Sequence, residues 1–346
     1  MKESGEIKKA DIRRVLVVKP SSLGDIIHVF PALEILRRIL PDAEIDFLVN
    51  PKFAGLLDYS PVKISKKVLF EREKLGKIGS FIGGSMQLRR ELRRGNYDLV
   101  IDFQGLFRSA FFSFLAGAKL GVCGFASPRE RISALFYRRK IKCSAVHAVE
   151  KNVELVNGIF NTAYRVPECD IPPGSVELPA GIPERYTVLL PGARWNSKRF
   201  PVELFAQIAA ALVAENRKVV LAGSPDEEPL CRDISEACGN DTNIISCAGK
   251  TGMSELLELI RRADAVVCND SGPLHIASVM NKKIFCFFGS TVPEKTGPWN
   301  SRAKIYGVDT GCRGCLKREC PHSEIYCHKI DVHQVIKDIL NMELSL

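Results

Sequence analysis

No stretch of this 346-residue chain stays apolar over eighteen residues, which excludes a membrane-spanning helix. The first residues, Met1-Lys2-Glu3-Ser4-Gly5-Glu6, hold no apolar secretory segment. Three catalytic fingerprints are also missing. G-x-G-x-x-G does not follow the first predicted strand, G-x-x-x-x-G-K-[ST] occurs nowhere, and no serine sits in G-x-S-x-G. These absences disfavour a simple NAD dehydrogenase, a P-loop ATPase and a hydrolase with a serine elbow. Aromatic side chains are not interleaved with the basic ones as a stacking platform requires, so nucleic acid is not an expected partner. There are 12 cysteines, some in strand-like runs such as Val266-Val267-Cys268 and Phe285-Cys286-Phe287. Without an export signal, the expectation is the reducing cytoplasm and free thiols.

What is present is ordinary in amount and uneven in placement. Hydrophobic residues make up 46% and charged residues 26%, enough for a sizeable core. The net charge is +9, and the excess lies in the first half: residues 1–173 hold 29 Lys and Arg against 19 Asp and Glu, the remainder 20 against 21. A one-sided field favours an anionic partner; a merely solvated basic surface is the plainer alternative.

Apolar runs alternate with helical patterns through both halves. Val15–Val18 reads as a buried strand, 26–40 as a helix, and Ile45–Val49 as the next strand. The stretch 97–102 reads as a strand and 104–115 as a helix, followed by a basic segment over 129–142 and a helix over 147–160. Residues 167–183 carry five prolines and two glycines and read as a linker. A second series follows, with strands near 186–190, 218–222, 243–246, 265–268 and 283–288 and helices between them. The predicted organisation is an α/β pair of Rossmann-like, doubly wound domains over 1–172 and 184–330, facing an interdomain cleft, with a terminal helix in 331–346.

Four loops at predicted strand ends carry chemistry. Ser21-Ser22-Leu23-Gly24-Asp25 places two hydroxyls and a carboxylate at the mouth of the first sheet. Asp25 is either a helix cap or a general base. Asn269-Asp270-Ser271-Gly272-Pro273-Leu274-His275 opens a helix, whose free amides and dipole suit a phosphate. His275 lies one turn in. The loop 190–201 combines Gly192 with Arg194, Lys198 and Arg199, and Lys198 is suited to neutralise a diphosphate leaving group. Glu227, in Gly223-Ser224-Pro225-Asp226-Glu227, is either a ribose ligand or a charge matching a helix dipole. Separately, Cys312, Cys315, Cys320 and Cys327 have a spacing open to zinc, an iron–sulfur cluster or free thiols, with His322 and His328 nearby.

Taken together, Lys19-Pro20-Ser21-Ser22-Leu23-Gly24-Asp25-Ile26-Ile27-His28 and Asn269–His275 resemble the two signatures of the lipopolysaccharide heptosyltransferases, glycosyltransferase family 9. Asp102–Ala110, Ser127–Tyr137 and His147–Asn152 are similar to the type I members in particular. The loop Gly192–Trp195 lacks the paired threonines of the best-known type I enzymes, and those enzymes lack the cysteine tetrad.

The resemblance implies a GT-B fold and inverting, metal-independent transfer from ADP-heptose to an acidic, lipid-linked sugar, Kdo–lipid A. It implies that Asp25 is the base, and that Lys198, Glu227, Asp270, Ser271, Gly272 and His275 hold the donor. Thr251 and Met253 would line the adenine pocket. Ser21, Ser22, Gly24, Arg129, Arg131 and Arg139 are the expected acceptor contacts, with peripheral contact at the anionic inner membrane leaflet. No cofactor is expected. The rival readings are a relative that adds a later heptose or another core sugar, and a non-catalytic nucleotide-binding module.

Overall fold

Short runs of β-branched and aliphatic residues form the central strands, because a strand covered on both faces by helices has no polar side to present. In the computed structural model, which describes residues 7–71, 78–173, 176–299 and 302–341, these strands build two parallel sheets of six. The first contains β1 (Arg14–Val18), β2 (Glu44–Val49), β3 (Lys66–Leu69), β4 (Leu99–Asp102), β5 (Val122–Phe125) and β6 (Arg139–Ile141). The second contains β7 (Thr187–Leu190), β8 (Val219–Leu221), β9 (Ile244–Ser246), β10 (Ala265–Asn269), β11 (Ile284–Phe287) and β12 (Ala303–Tyr306).

The strand orders are β3-β2-β1-β4-β5-β6 and β12-β11-β10-β7-β8-β9. Counted from each sheet's first strand, both are the Rossmann order, with the direction of winding reversing between the first and fourth strands. The first switch point lies between β1 and β4, where Val18 is level with Asp102. The second lies between β7 and β10, where Leu190 is level with Cys268. Loops leaving the carboxyl ends of these strands open a crevice suited to a ligand. Three of the four chemistry-bearing loops, after β1, β7 and β10, start at these switch points; the fourth follows β8.

The chain divides into two units, residues 1–172 and 173–346, each with its own core. In the first, Leu16, Val18, Leu48, Val100, Phe112 and Tyr137 are buried together. In the second, Phe200, Phe205, Phe285 and Phe287 pack with Leu189, Val219 and Val267. Burying each such side chain stabilises the fold by roughly 1.5–3 kcal/mol. The terminal helix Val332–Asn341 belongs to the second unit's core through Val335 and Ile339 rather than standing apart; residues 342–346 lie outside the described residues.

The predicted helix over 26–40 is two helices, Leu23–Ile27 and Phe30–Ile39. Pro31 explains the break, since proline has no amide to donate and is tolerated only in a helix's first turn. Three short strands at sheet edges, β3, β6 and β12, the interior strand β5 and the helix Ile78–Arg94 join the elements expected from sequence. Among the described residues, no helix is long and apolar enough to cross a membrane.

Candidate functional site

At the first switch point, Asp25 sits in the helix Leu23–Ile27, and its Oδ2 accepts from the Ser22 amide and hydroxyl, both at 3.1 Å. It therefore does cap the helix, and one oxygen remains for other work. That oxygen, Oδ1, takes the Arg129 guanidinium at 2.7 Å and lies 3.6 Å from Lys19 Nζ. The Asp25 side chain is only 19% exposed. Burial pushes its carboxyl upward, but Lys19 and Arg129, helped by the Ser22 amide and His28, outweigh that and hold it far below the usual carboxylate range. Lys19 is itself buried, which lowers its ammonium, and donates to the Phe103 carbonyl at 3.0 Å.

Asp102 organises the neighbouring loop. Fully buried at the end of β4, it accepts from the Gln104 and Gly105 amides at 2.8 and 3.2 Å, Ser109 Oγ at 2.9 Å and Tyr137 Oη at 2.8 Å. Burial raises its carboxyl despite these donors. Gly105 has φ +68°, and a Cβ there would press on Pro128 and the Arg129 amide. The Glu130 amide donates to the Gly105 carbonyl at 3.0 Å. Asp102 and Gly105 thus fix the backbone from which Arg129 reaches Asp25. Lys19 and Asp102 are neighbours of the candidate site that sequence reasoning quoted only as parts of motifs.

Of the other residues expected near the acceptor, Ser21 and Ser22 lie in the loop after β1, and Gly24 is buried in the first helix. Arg131 is exposed at the start of the 3₁₀ turn Arg131–Phe136. Arg139 begins β6, three strands from β1, roughly 14 Å away at about 4.8 Å per strand. The structure brings Arg129, but not Arg139, to Asp25.

At the second switch point the charges are exchanged. Lys198 Nζ contacts Asp270 Oδ2 at 2.6 Å and lies 4.8 Å from the centre of the Trp195 ring. Thr291 donates to the same carboxylate oxygen at 2.5 Å. Asp270 therefore aims Lys198, which explains a carboxylate beside an expected phosphate loop. Asn269 closes the loop after β7 by donating to the Pro191 carbonyl at 2.7 Å and accepting from the Phe200 amide at 3.3 Å. Ser271 precedes the helix Gly272–Val279, and its Oγ is buried without a hydrogen-bond partner. The hydroxyl stands beside the free amides of that helix's first turn. His275 is buried one turn in.

Glu227 lies after β8, next to β7 in the sheet, and accepts from the Ser224 amide at 2.8 Å. A Cβ on Gly192 would overlap its carboxylate, so glycine is what lets the two loops touch. The Gly249 amide donates to the Gly223 carbonyl at 2.9 Å, drawing the segment with Thr251 and Met253 against the Glu227 loop. The structure gathers the loops holding Lys198, Glu227, Thr251, Met253, Asp270, Ser271 and Gly272 at one edge of the second sheet.

All 12 cysteines are free. Cys312, Cys315, Cys320 and Cys327 line one cavity of about 70 Å³ with Ser197, Ser290 and His322. Among the described residues, however, no three Cys, His, Asp or Glu side chains are placed to hold an ion. His328 stacks on Phe200 at 4.0 Å and contacts the Ser197 carbonyl at 3.1 Å. The cysteine-rich loop also holds Ser197 through its amide and the Arg318 carbonyl at 3.1 Å, supporting the turn that carries Lys198.

Comparison with known proteins agrees with this arrangement. The family model described as glycosyltransferase family 9 (heptosyltransferase) matches residues 85–326. Lipopolysaccharide heptosyltransferase 1 of Pseudomonas aeruginosa is 30% identical, over 89% of this chain and 88% of its own. Lipooligosaccharide heptosyltransferase 2 of Haemophilus influenzae is 27% identical, over 86% of this chain and 89% of its own. In fold, the chain is similar to the family 9 glycosyltransferase of Veillonella parvula, with TM-score 0.80, 21% identity and coverage of 98% and 99%. It is also similar to the E. coli heptosyltransferase WaaC with ADP, with TM-score 0.73, 24% identity and coverage of 94% and 99%. By a family model spanning well over half its length and a relative matched almost end to end, this GT-B-type α/β chain belongs to glycosyltransferase family 9, the heptosyltransferases.

Proposed function

We propose that this glycosyltransferase moves heptose from ADP-heptose onto the Kdo–lipid A inner core of lipopolysaccharide, with inversion at the anomeric carbon and Asp25 as general base. The observation that carries the reading is the one oxygen of Asp25 not engaged in the helix cap, held at the first switch point by Arg129 and Lys19. A carboxylate held so far down is a weak base. An acceptor carboxylate or phosphate competes for Arg129, and its departure returns basicity to Asp25 as the acceptor hydroxyl arrives. Asp25 then takes the hydroxyl proton, the oxygen bonds to the anomeric carbon, and the bond to the ADP oxygen breaks.

The second unit supports the donor role. Lys198 neutralises charge growing on the diphosphate, and the first amides of the helix Gly272–Val279 with the Ser271 hydroxyl bind its oxygens. Glu227 reaches the ribose, Thr251 and Met253 flank the adenine, and His275 steadies the phosphate loop. With Lys198 and the helix supplying positive potential, the reading needs no metal. Ser21, Ser22, Gly24, Arg131 and Arg139 complete the acceptor side. The expected setting is the cytoplasm, peripheral to the inner membrane leaflet. The proposed domains are 1–172 and 184–330, with the terminal helix Val332–Asn341 packed on the second.

The test is ADP release from ADP-heptose with deacylated Kdo–lipid A in the presence of EDTA, wild type beside Asp25→Ala. Release that depends on acceptor and collapses in the variant is expected. Release only with an already heptosylated core would instead assign the later heptose. The relatives favour keeping that outcome in the assay, since they include types 1, 2 and 3. No release with any acceptor would overturn the enzymatic reading in favour of nucleotide binding alone.

A further inference from the structure

The helix Phe107–Leu115 and the turn Arg131–Phe136 pack together through phenylalanine rings. Phe136 meets Phe107, Phe111 and Phe114 at centroid distances of 5.7, 5.9 and 5.9 Å. Yet the cluster remains open to solvent: Leu135 is 78% exposed, Phe114 57%, Ile132 51% and Phe107 40%. Single exposed apolar side chains need no explanation, but several on two adjoining elements do. The surrounding charge is of one sign. Residues 107–142 hold eight Lys and Arg and one acid, Glu130, which is engaged with the Phe107 amide at 2.6 Å. Arg108 and Arg131, both exposed, lie on the same two elements as the apolar side chains.

We propose that this face docks on an anionic lipid bilayer, with Phe114, Ile132 and Leu135 entering the boundary between headgroups and acyl chains and Arg108 and Arg131 pairing with lipid phosphates. Apolar side chains ringed by basic ones are the combination that anchors a peripheral protein to an acidic membrane. A second copy is disfavoured as occupant, because it would set two strongly basic faces against each other. The placement also serves the reaction. Arg129, two residues before Arg131, is bonded to Asp25, so the docking face borders the base. A sugar standing on a bilayer is thereby presented where its hydroxyl is needed. The inference rests on the lipid-linked acceptor for its purpose, but its test does not.

The experiment is co-sedimentation of the full chain with vesicles of phosphatidylglycerol and phosphatidylethanolamine, beside vesicles of phosphatidylcholine alone. Wild type is expected to bind the anionic vesicles and to leave the neutral ones, with binding that weakens as salt rises. Phe114→Asp with Leu135→Asp should lower vesicle affinity by about tenfold or more, and Arg108→Glu by roughly fivefold or more per site. Ile132→Ser is a milder second variant with a smaller loss. Turnover of deacylated acceptor should be unchanged in these variants, which establishes that they fold. Wild-type binding by the double variant, or no preference of the wild type for anionic vesicles, would overturn the proposal. Vesicle binding without turnover on any acceptor would sink the proposed function and leave the docking face standing.

Discussion

The two switch points are built alike and charged oppositely. In residues 1–172 a carboxylate, Asp25, is gripped by two cations; in residues 173–346 a cation, Lys198, is gripped by a carboxylate. Both functional groups thus wait in an ion pair that a ligand of the right sign can open. In the proposed reaction, the sign assigns the proton to the first half and the departing anion to the second. The surroundings differ in kind as well. Asp25 is restrained by a loop that Asp102 fixes through four donors, whereas Lys198 is aimed by Asp270 and Thr291.

The sharpest way to break the comparison is Asp25→Asn, which keeps the Ser22 contacts and removes the base. Turnover with deacylated acceptor should fall about 10²–10⁴-fold while thermal stability is retained; a variant with more than a tenth of wild-type turnover would remove Asp25 from the chemistry. Next comes Lys198→Met, expected to lower kcat about 10²–10³-fold. In a double-mutant cycle with Asp270→Asn the two losses should not add, because Asp270 acts through Lys198; additive losses would separate the pair.

Smaller in effect is Asp102→Ala, which orphans buried donors. It should destabilise the chain by about 2–4 kcal/mol, read as a lower denaturant midpoint, and should raise acceptor KM by loosening the Arg129 loop. The mildest is Arg129→Met, expected to raise acceptor KM by roughly tenfold and leave donor KM unchanged. It also has a pH signature. The folded Asp25 carboxyl lies below its unfolded value, so its ion pairs stabilise the protein above about pH 4, and this is lost as pH falls through the depressed folded value. Without Arg129 that carboxyl rises, and the acid limb of kcat/KM should move to higher pH. An unmoved limb would show that Arg129 does not govern the base.

Much of this layout was legible in the sequence because buried parallel strands announce themselves as apolar runs. Val15–Val18 and Ala265–Cys268 read directly, and the loops behind them carried the site. Of the strands that escaped notice, the interior one is Val122-Cys123-Gly124-Phe125, short and broken by a glycine, and three lie at sheet edges: Lys66-Lys67-Val68-Leu69, Arg139-Lys140-Ile141 and Ala303-Lys304-Ile305-Tyr306. Edge strands bear charge, which protects them from pairing with other chains and erases the apolar signal. The ion pairs were hidden for a different reason. Arg129 meets Asp25 across 104 positions and Thr291 meets Asp270 across 21, and no local pattern encodes such meetings. The apolar face was hidden because it is split: Phe107 and Phe114 fall in the predicted helix over 104–115, and Ile132 and Leu135 in the basic segment over 129–142.

Asn269 uses both ends of its amide to tie Pro191 to Phe200, so the loop bearing Lys198 begins and ends on one side chain. Such a clasp divides what evolution can alter from what it cannot. Between the tied ends, Gly192, Ser197 and Lys198 are constrained by their contacts, while the remaining residues can change identity as long as the spacing of the ends is held. Insertions and deletions here should be rare among related enzymes and point substitutions common. A designer seeking a new donor would do better to rewrite the loop letter by letter than to graft one of another length.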